Sequence, residues 1–217
     1  MRNDQWAVAL WPDRSVALAT VHSTASDARR ALGHAADGAP LVSSGACLRL
    51  HEAVISDVDR FDALAHSGRP DRLLEAVELL RGRLFSGMRR ADWAVLDGTQ
   101  AQVEAKVVRA VLRGADDLLR HARPAESESI VRRGLVVAPY DERLYRALLR
   151  ALAAQGNRVR LRGAMAELLT VAADAPLPAP PGRWSGAEMG MLHPETTSLY
   201  QELLCGWPAT GEAPARL

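Results

Sequence analysis

The feature that most constrains this chain is a succession of apolar stripes with helical spacing, which begins near Ser56 and continues to residue 203. Apolar residues recur three or four positions apart, and this spacing places them on one face of a helix. Each such helix must bury its apolar face against a neighbour, so the pattern predicts a mostly α-helical domain. The stripes are Phe61 and Leu64; Leu73, Leu74, Val77 and Leu80; Val103, Val107, Val111, Ala115 and Leu118; Ile130, Val131 and Leu135; Leu144, Leu148 and Leu152; Leu161, Met165 and Leu168; and Leu199 with Leu203.

Proline and glycine residues divide this pattern into helices of ordinary length. Pro124 and Pro194 suit first helical positions, where a missing N–H costs nothing. Two helices predicted between Asp141 and Val171, with a turn at Gly156, resemble one tetratricopeptide unit of about 34 residues. The proline- and glycine-rich stretch 173–194 predicts a long loop, and residues 206–217 read as a flexible tail.

The first 54 residues have a different pattern. Two helices are predicted on either side of Pro12-Asp13-Arg14, and the second carries an apolar stripe that ends before Gly33. Two short apolar runs follow, at 40–42 and 46–50, and the glycine between them predicts a β-hairpin. Helix, turn, helix and hairpin together outline a partial winged helix-turn-helix at 1–54. The stripe consists of Leu18, Val21, Ala25, Ala28 and Leu32.

Charge and motif content limit the function classes. The 27 basic and 26 acidic residues give a net charge of +1, so the whole-molecule field does not attract nucleic acid and any DNA contact must be local. The sequence has no HExxH, GxSxG or glycine-rich phosphate loop, which predicts that the protein is not an enzyme. Cys47 and Cys205 form no CxxC pair and the six histidines are scattered, so we expect no metal site, and no motif predicts a cofactor. No stretch approaches the roughly 18 apolar residues of a membrane span, and we expect a cytoplasmic protein without membrane contact.

Several short motifs then occur in a recognisable order, and with them the chain resembles the bacterial transcriptional activation domain. That family is a helical-repeat module of actinobacterial regulators of the antibiotic regulatory protein type. Residues 10–13, 21–33 and 41–50 are similar to the end of the winged helix that precedes this module, so the resemblance implies domains at 1–54 and 55–205. The motifs are Asp57-Val58-Asp59-Arg60-Phe61, Ala76 to Arg83, Ala91-Asp92-Trp93, Pro139-Tyr140-Asp141-Glu142, Gly156, Pro194-Glu195-Thr196 and Leu199-Tyr200.

The resemblance implies regulation of transcription, with a protein partner or a homodimer contacted by the helical domain and duplex DNA contacted by the winged helix. The alternative is a helical scaffold or dimerisation module that has lost DNA binding, such as the C-terminal piece of a longer protein. Asp27 favours this alternative, because the family's recognition helix usually carries arginine there and a carboxylate opposes contact with phosphate. Residues 1–50 also hold only five basic side chains against four acidic ones.

Two sets of candidate site residues follow. The DNA-binding candidates lie on the second predicted helix and the hairpin, where arginine side chains reach phosphate or guanine; a solvated helix face and a helix dipole explain the same residues without DNA. The partner-binding candidates form an apolar cluster on the long loop, which either clamps a partner or folds back on its own chain. The DNA-binding candidates are His22, Ser23, Ser26, Arg29, Arg30 and Arg49, and the partner-binding candidates are Trp184, Met189, Met191 and Leu192.

Overall fold

The structure, a computed structural model, describes residues 3–11, 14–44, 47–88, 92–174 and 184–206. These residues are mostly helical, which confirms the predicted fold class at that level. The chain divides into two compact units, the first formed by Met1–Arg60 and Phe85–Ala101 and the second by Phe61–Leu84 and Gln102–Leu217. In the described residues the helices are α1 (Asn3–Leu10), α2 (Leu18–Leu32), α3 (Asp57–Ala65), α4 (Pro70–Val77), α5 (Asp92–Leu96), α6 (Thr99–Arg120), α7 (Pro124–Val137), α8 (Glu142–Ala154), α9 (Arg158–Ala173), α10 (Gly186–Met189) and α11 (Pro194–Cys205).

Only the middle of the predicted α2 stripe is buried in the first unit. Val21 and Ala25 are 1% and 3% exposed, so this chain itself covers the central turns of the helix. Leu18 and Leu32, at the two ends of the stripe, are 66% and 47% exposed. The helical period places all these residues on one face, but other segments of the same chain cover only the central part of that face.

The segment after α2 contains antiparallel bridges rather than regular strands in its described residues. One bridge joins His34 to Pro40 and another joins Val42 to Leu50. The second is supported by hydrogen bonds from Ser43 N to Arg49 O at 2.9 Å and from His51 N to Leu41 O at 3.0 Å. Residues 45 and 46, at the centre of the predicted hairpin, lie outside the described residues.

The second unit is built around α8. This helix packs against α7, α9 and α11, and α4 packs against α7. All the stripe residues predicted on α6, α7, α8 and α9 are buried in the structure. Burying such side chains removes apolar surface from water, which is the main stabilising contribution to a fold of this kind.

The predicted helix pair with a turn at Gly156 is confirmed by α8 and α9. Asp141 caps α8 by accepting a hydrogen bond from Arg143 N, and Asn157 caps α9 by accepting one from Arg160 N. Gly156 has a φ of 71°, in the left-handed region that a residue without a Cβ adopts readily. The two capping residues mark where α8 and α9 begin, and Gly156 marks the turn between them.

The last helix buries a different face from the one predicted. Thr196 and Tyr200 are buried, whereas Leu199 and Leu203 are only half-buried. The reason is a polar contact that periodicity does not detect, because Thr196 hydrogen-bonds to side chains of α8.

The predicted loop 173–194 overlaps α9 by one residue, Ala173, and contains the single-turn helix α10. Ser185 and Glu188 form a capping box at its start, in which each side chain bonds the other residue's backbone N–H. Residues 175–183 of this loop and residues 207–217 of the predicted tail lie outside the described residues.

Gly114 allows α6 to approach α4 closely. A Cβ built on Gly114 would lie 1.8 Å from Leu73 Cδ2 and 3.2 Å from Ile130 Cδ1. These distances are shorter than van der Waals contact, so any side chain at position 114 must displace Leu73. Gly163 on α9 is the opposite case, because nothing lies within 4 Å of the Cβ position.

We therefore expect opposite effects from the same substitution at these two glycines. Gly114→Ala should lower the free energy of unfolding by about 1 to 2 kcal/mol through overpacking. Gly163→Ala should raise it by up to about 1 kcal/mol, because alanine is the better helix former and meets no neighbour. Urea unfolding followed by circular dichroism measures both, and equal effects of the two substitutions would contradict the close packing of α6 on α4.

Candidate functional site

The exposed face of α2 carries three of the DNA-binding candidates, His22, Ser23 and Ser26. All three are exposed, whereas Val21 and Ala25 on the same helix are buried. Ser26 Oγ donates a hydrogen bond to His22 O at 2.9 Å, so its hydroxyl proton is used within the helix. This face is accessible and carries few charges.

Arg30 lies on the same face but is paired with an acidic neighbour. Its Nη1 donates to Asp27 Oδ1 at 3.1 Å, and both side chains are exposed. An exposed pair one helical turn apart contributes little to stability. Its electrostatic consequence is larger, because Asp27 cancels the charge that Arg30 would present to a phosphate.

Arg29 differs from the other candidates on α2 because it is not fully exposed. It follows Ala25 by four residues and so continues the face that begins at Val21, where it is half-buried. Arg29 Nε donates to Ser43 O at 3.1 Å, which ties α2 to the segment that follows it. The side chain therefore has a structural role within the first unit.

Arg49 is exposed on the bridged segment. Its backbone N–H donates to Ser43 Oγ at 2.9 Å, and that hydroxyl donates to Cys47 O at 3.0 Å. Ser43 thus connects this segment internally and to Arg29. The structure brings Arg29 and the segment of Arg49 together through Ser43, while His22, Ser23, Ser26 and Arg30 are exposed along α2.

The four partner-binding candidates differ in exposure. Leu192 is buried, Trp184 and Met189 are half-buried, and Met191 is exposed. Burial raises the pKa of the Tyr200 hydroxyl above its ordinary value, and a hydrogen bond from Trp184 partly opposes this shift. Met191 therefore has the largest exposed fraction of the four.

A polar network joins α8 to α11, and sequence reasoning missed it. The Glu142 carboxylate accepts hydrogen bonds from His193 N at 3.0 and 3.1 Å and from Thr196 Oγ1 at 2.7 Å. Arg146 Nη1 donates to Thr196 Oγ1 at 3.0 Å, and Arg146 Nη2 lies 3.2 Å from Glu195 Oε2. Glu142 and Arg146 are four residues apart and suggest a local pair, but both are used to hold α11.

A second network surrounds Glu128, a buried carboxylate on α7. It accepts hydrogen bonds from Arg132 Nε at 2.8 Å, from Gln155 Nε2 at 3.0 Å and from Arg160 Nη2. Burial alone would raise the pKa of this carboxyl, but these donors and the two arginine charges outweigh burial and lower it. The signal in the sequence is that Glu128 precedes Leu135 by seven residues and so lies on the apolar face of its helix.

The comparison with known families adds a decisive observation. The family model described as the bacterial transcriptional activator domain matches residues 48–161. The match covers more than half of the chain and runs from the bridged segment to the start of α9. This chain belongs to the bacterial transcriptional activator domain family. No curated protein matches it.

The family match covers some of the described helices and not others. The activator-domain match includes α3 to α8 and ends at Leu161, whereas α10 and α11 follow it. The Glu142 and Arg146 network thus attaches a helix from beyond the matched range to a helix within it. The described helices include none that is long and apolar enough to cross a membrane.

Proposed function

We propose that this activator-domain protein is a transcriptional regulator module of the antibiotic regulatory protein type. It comprises a partial winged helix at 1–54, a helical-repeat domain at 55–205 and a tail at 206–217. The helical domain contacts a protein partner or a second copy, and the exposed face of α2 contacts duplex DNA. The observation that carries this proposal is the family match over residues 48–161.

The geometry of α2 supports DNA contact through a limited set of residues. His22, Ser23 and Ser26 are accessible on one face, and Arg49 is exposed on the segment that Ser43 ties to α2. In a winged helix, a helix face supplies base contacts and the wing supplies phosphate contacts. Arg29 contributes by holding the bridged segment in place rather than by touching DNA.

A second candidate function is a helical scaffold that does not bind DNA. It is favoured by one observation, the pairing of Arg30 with Asp27 on the exposed face of α2. The pair has no net charge, so this face gains little from release of the counterions around DNA. A scaffold of this kind works through protein contacts alone, and Met191 is the exposed apolar residue of the candidate cluster.

Asp27→Arg distinguishes the two functions. The substitution replaces a neutral pair by two positive charges, because it also releases Arg30. If α2 enters a DNA groove, affinity for mixed-sequence duplex should rise and the slope of log affinity against log salt should steepen by about one to two phosphate contacts. Fluorescence anisotropy at several salt concentrations measures both quantities.

Glu202→Arg is the matched control, because it makes the same charge change at an exposed position on α11. The regulator proposal expects a clear effect of Asp27→Arg and little effect of Glu202→Arg. If both folded variants bind duplex no better than the unmodified protein, groove docking of α2 is wrong and the scaffold function stands. Equal gains from the two variants would show a non-specific charge effect and would also count against docking of α2.

A further inference from the structure

The second unit contains an open cleft of about 390 Å³ that none of the functions above uses. One wall is the turn after α3 with the start of α4, and the other wall is α6. Its volume lies in the range of small-molecule sites, about 300 to 1,000 Å³. All the residues around it lie between Phe61 and Leu84 or beyond Gln102, so the cleft belongs entirely to this unit.

The floor of the cleft is apolar. Leu73 and Ala110 are buried there, and Pro70 and Gly114 are half-buried. Because Gly114 has no side chain, α6 and Leu73 meet directly at the base of the cleft. A compact apolar group placed on this floor would leave water and gain free energy by doing so.

The rim of the cleft has an excess of positive charge. It includes three arginines, Arg69, Arg113 and Arg120, and two carboxylates, Asp116 and Asp117, so these five side chains have a net charge of +1. Arg120 is already paired with Asp117 at 3.2 Å. Arg69 stands on one wall and Arg113 on the other, and within the described part of the chain neither has an ion pair.

Two exposed guanidinium groups across an apolar floor fit one kind of ligand. A guanidinium presents a planar fork of donors that matches carboxylate and phosphate oxygens. An anion bound in the cleft would be attracted by both positive charges. We propose that this cleft binds a small organic anion, a carboxylate or phosphate group carried on a compact apolar body, with Arg69 and Arg113 holding the anionic group.

This proposal does not depend on DNA binding by α2, so the two are tested separately. The probe is phenyl phosphate, which combines an anionic group with an apolar ring, and isothermal titration calorimetry measures its binding to the full chain. Arg69→Gln with Arg113→Gln should weaken binding by about tenfold or more, because two charge-assisted contacts are lost. Asp116→Asn should strengthen binding about twofold to threefold, because it removes a like charge from the rim.

Arg109→Gln is the matched control, since Arg109 is an exposed arginine on α6 one turn before Arg113 and does not line the cleft. Its effect on binding should be negligible, and thermal unfolding checks that every variant is folded. The proposal is overturned if phenyl phosphate does not bind at about 10 mM, a level far weaker than a physiological ligand site requires. It is also overturned if uncharged phenol or inorganic phosphate binds as tightly as phenyl phosphate. The same holds if Arg109→Gln weakens binding as much as the double variant does, or if an acetylated tetraglutamate peptide binds and phenyl phosphate does not.

Discussion

Leu148→Ala should lower the free energy of unfolding by about 2 to 5 kcal/mol, through lost burial and the cavity left behind. Leu148 is fully buried on α8, the helix that packs against α7, α9 and α11. Its neighbours belong to several helices at once, so local relaxation cannot easily close the cavity. Urea unfolding at pH 7 measures the change.

Val159→Ala provides the comparison within the same helix pair. Val159 is 81% exposed on α9, and its substitution should change stability by less than about 0.5 kcal/mol. A loss below about 1 kcal/mol for Leu148→Ala would place that residue among surface positions. Such a result would contradict the packing described for α8.

Removal of the buried carboxylate on α7 should have the second largest effect. Glu128→Ala leaves Arg132 and Arg160 without their shared partner and removes one of the two acceptors of Gln155 Nε2, which also donates to Pro124 O. Breaking a buried ion pair from one side costs about 3 to 5 kcal/mol. We expect about 3 kcal/mol at pH 7, because the two arginine side chains remain 41% and 47% exposed and keep part of their hydration.

The same network predicts a pH dependence with a definite sign. The pKa of Glu128 in the folded protein lies below its ordinary value of 4.5. The ionised carboxylate therefore stabilises the fold fully above pH 4.5, and this contribution is lost as the pH falls through the lowered folded-state pKa. Glu128→Gln, which keeps the shape but not the charge, should be less stable than the unmodified protein at pH 7 and should approach its stability in acid.

Glu78→Gln is the control for this pH experiment. Glu78 is an exposed carboxylate that lies 3.4 Å from Arg133, and an exposed pair of this kind contributes at most about 1 kcal/mol. Unfolding curves between pH 7 and pH 3 should converge for Glu128→Gln and run parallel to the unmodified protein for Glu78→Gln. If the Glu128→Gln curve also runs parallel, the pKa of Glu128 is not lowered by folding.

Much of the helical architecture was predictable because its signals are local. The stripe on α6 and the turn at Gly156 each depend on residues that lie a few positions apart in the sequence. The family match over 48–161 agrees with the resemblance that short motifs carried. For α2, periodicity identified which face is apolar but not how much of that face other segments cover.

The candidate sites were less predictable for a related reason. Arg29 was a DNA-binding candidate, and only the folded chain shows that its guanidinium meets Ser43 O, fourteen residues away. Glu142 suggested a local pair with Arg146, yet both side chains bind residues of α11 about fifty positions later. Charge and spacing identify side chains that need partners, but packing brings those partners within reach.

The sequence by itself determined that this chain forms amphipathic helices, where several of them begin, and which family it belongs to. Those properties follow from hydrophobic period, capping residues and short motifs, all of which act over a few residues. The tertiary structure alone decided that Glu128 is held by Arg132 on α7, Gln155 just after α8 and Arg160 on α9, and that Arg69 and Arg113 line one cleft. These arrangements join residues tens of positions apart, and their geometry depends on how whole helices pack.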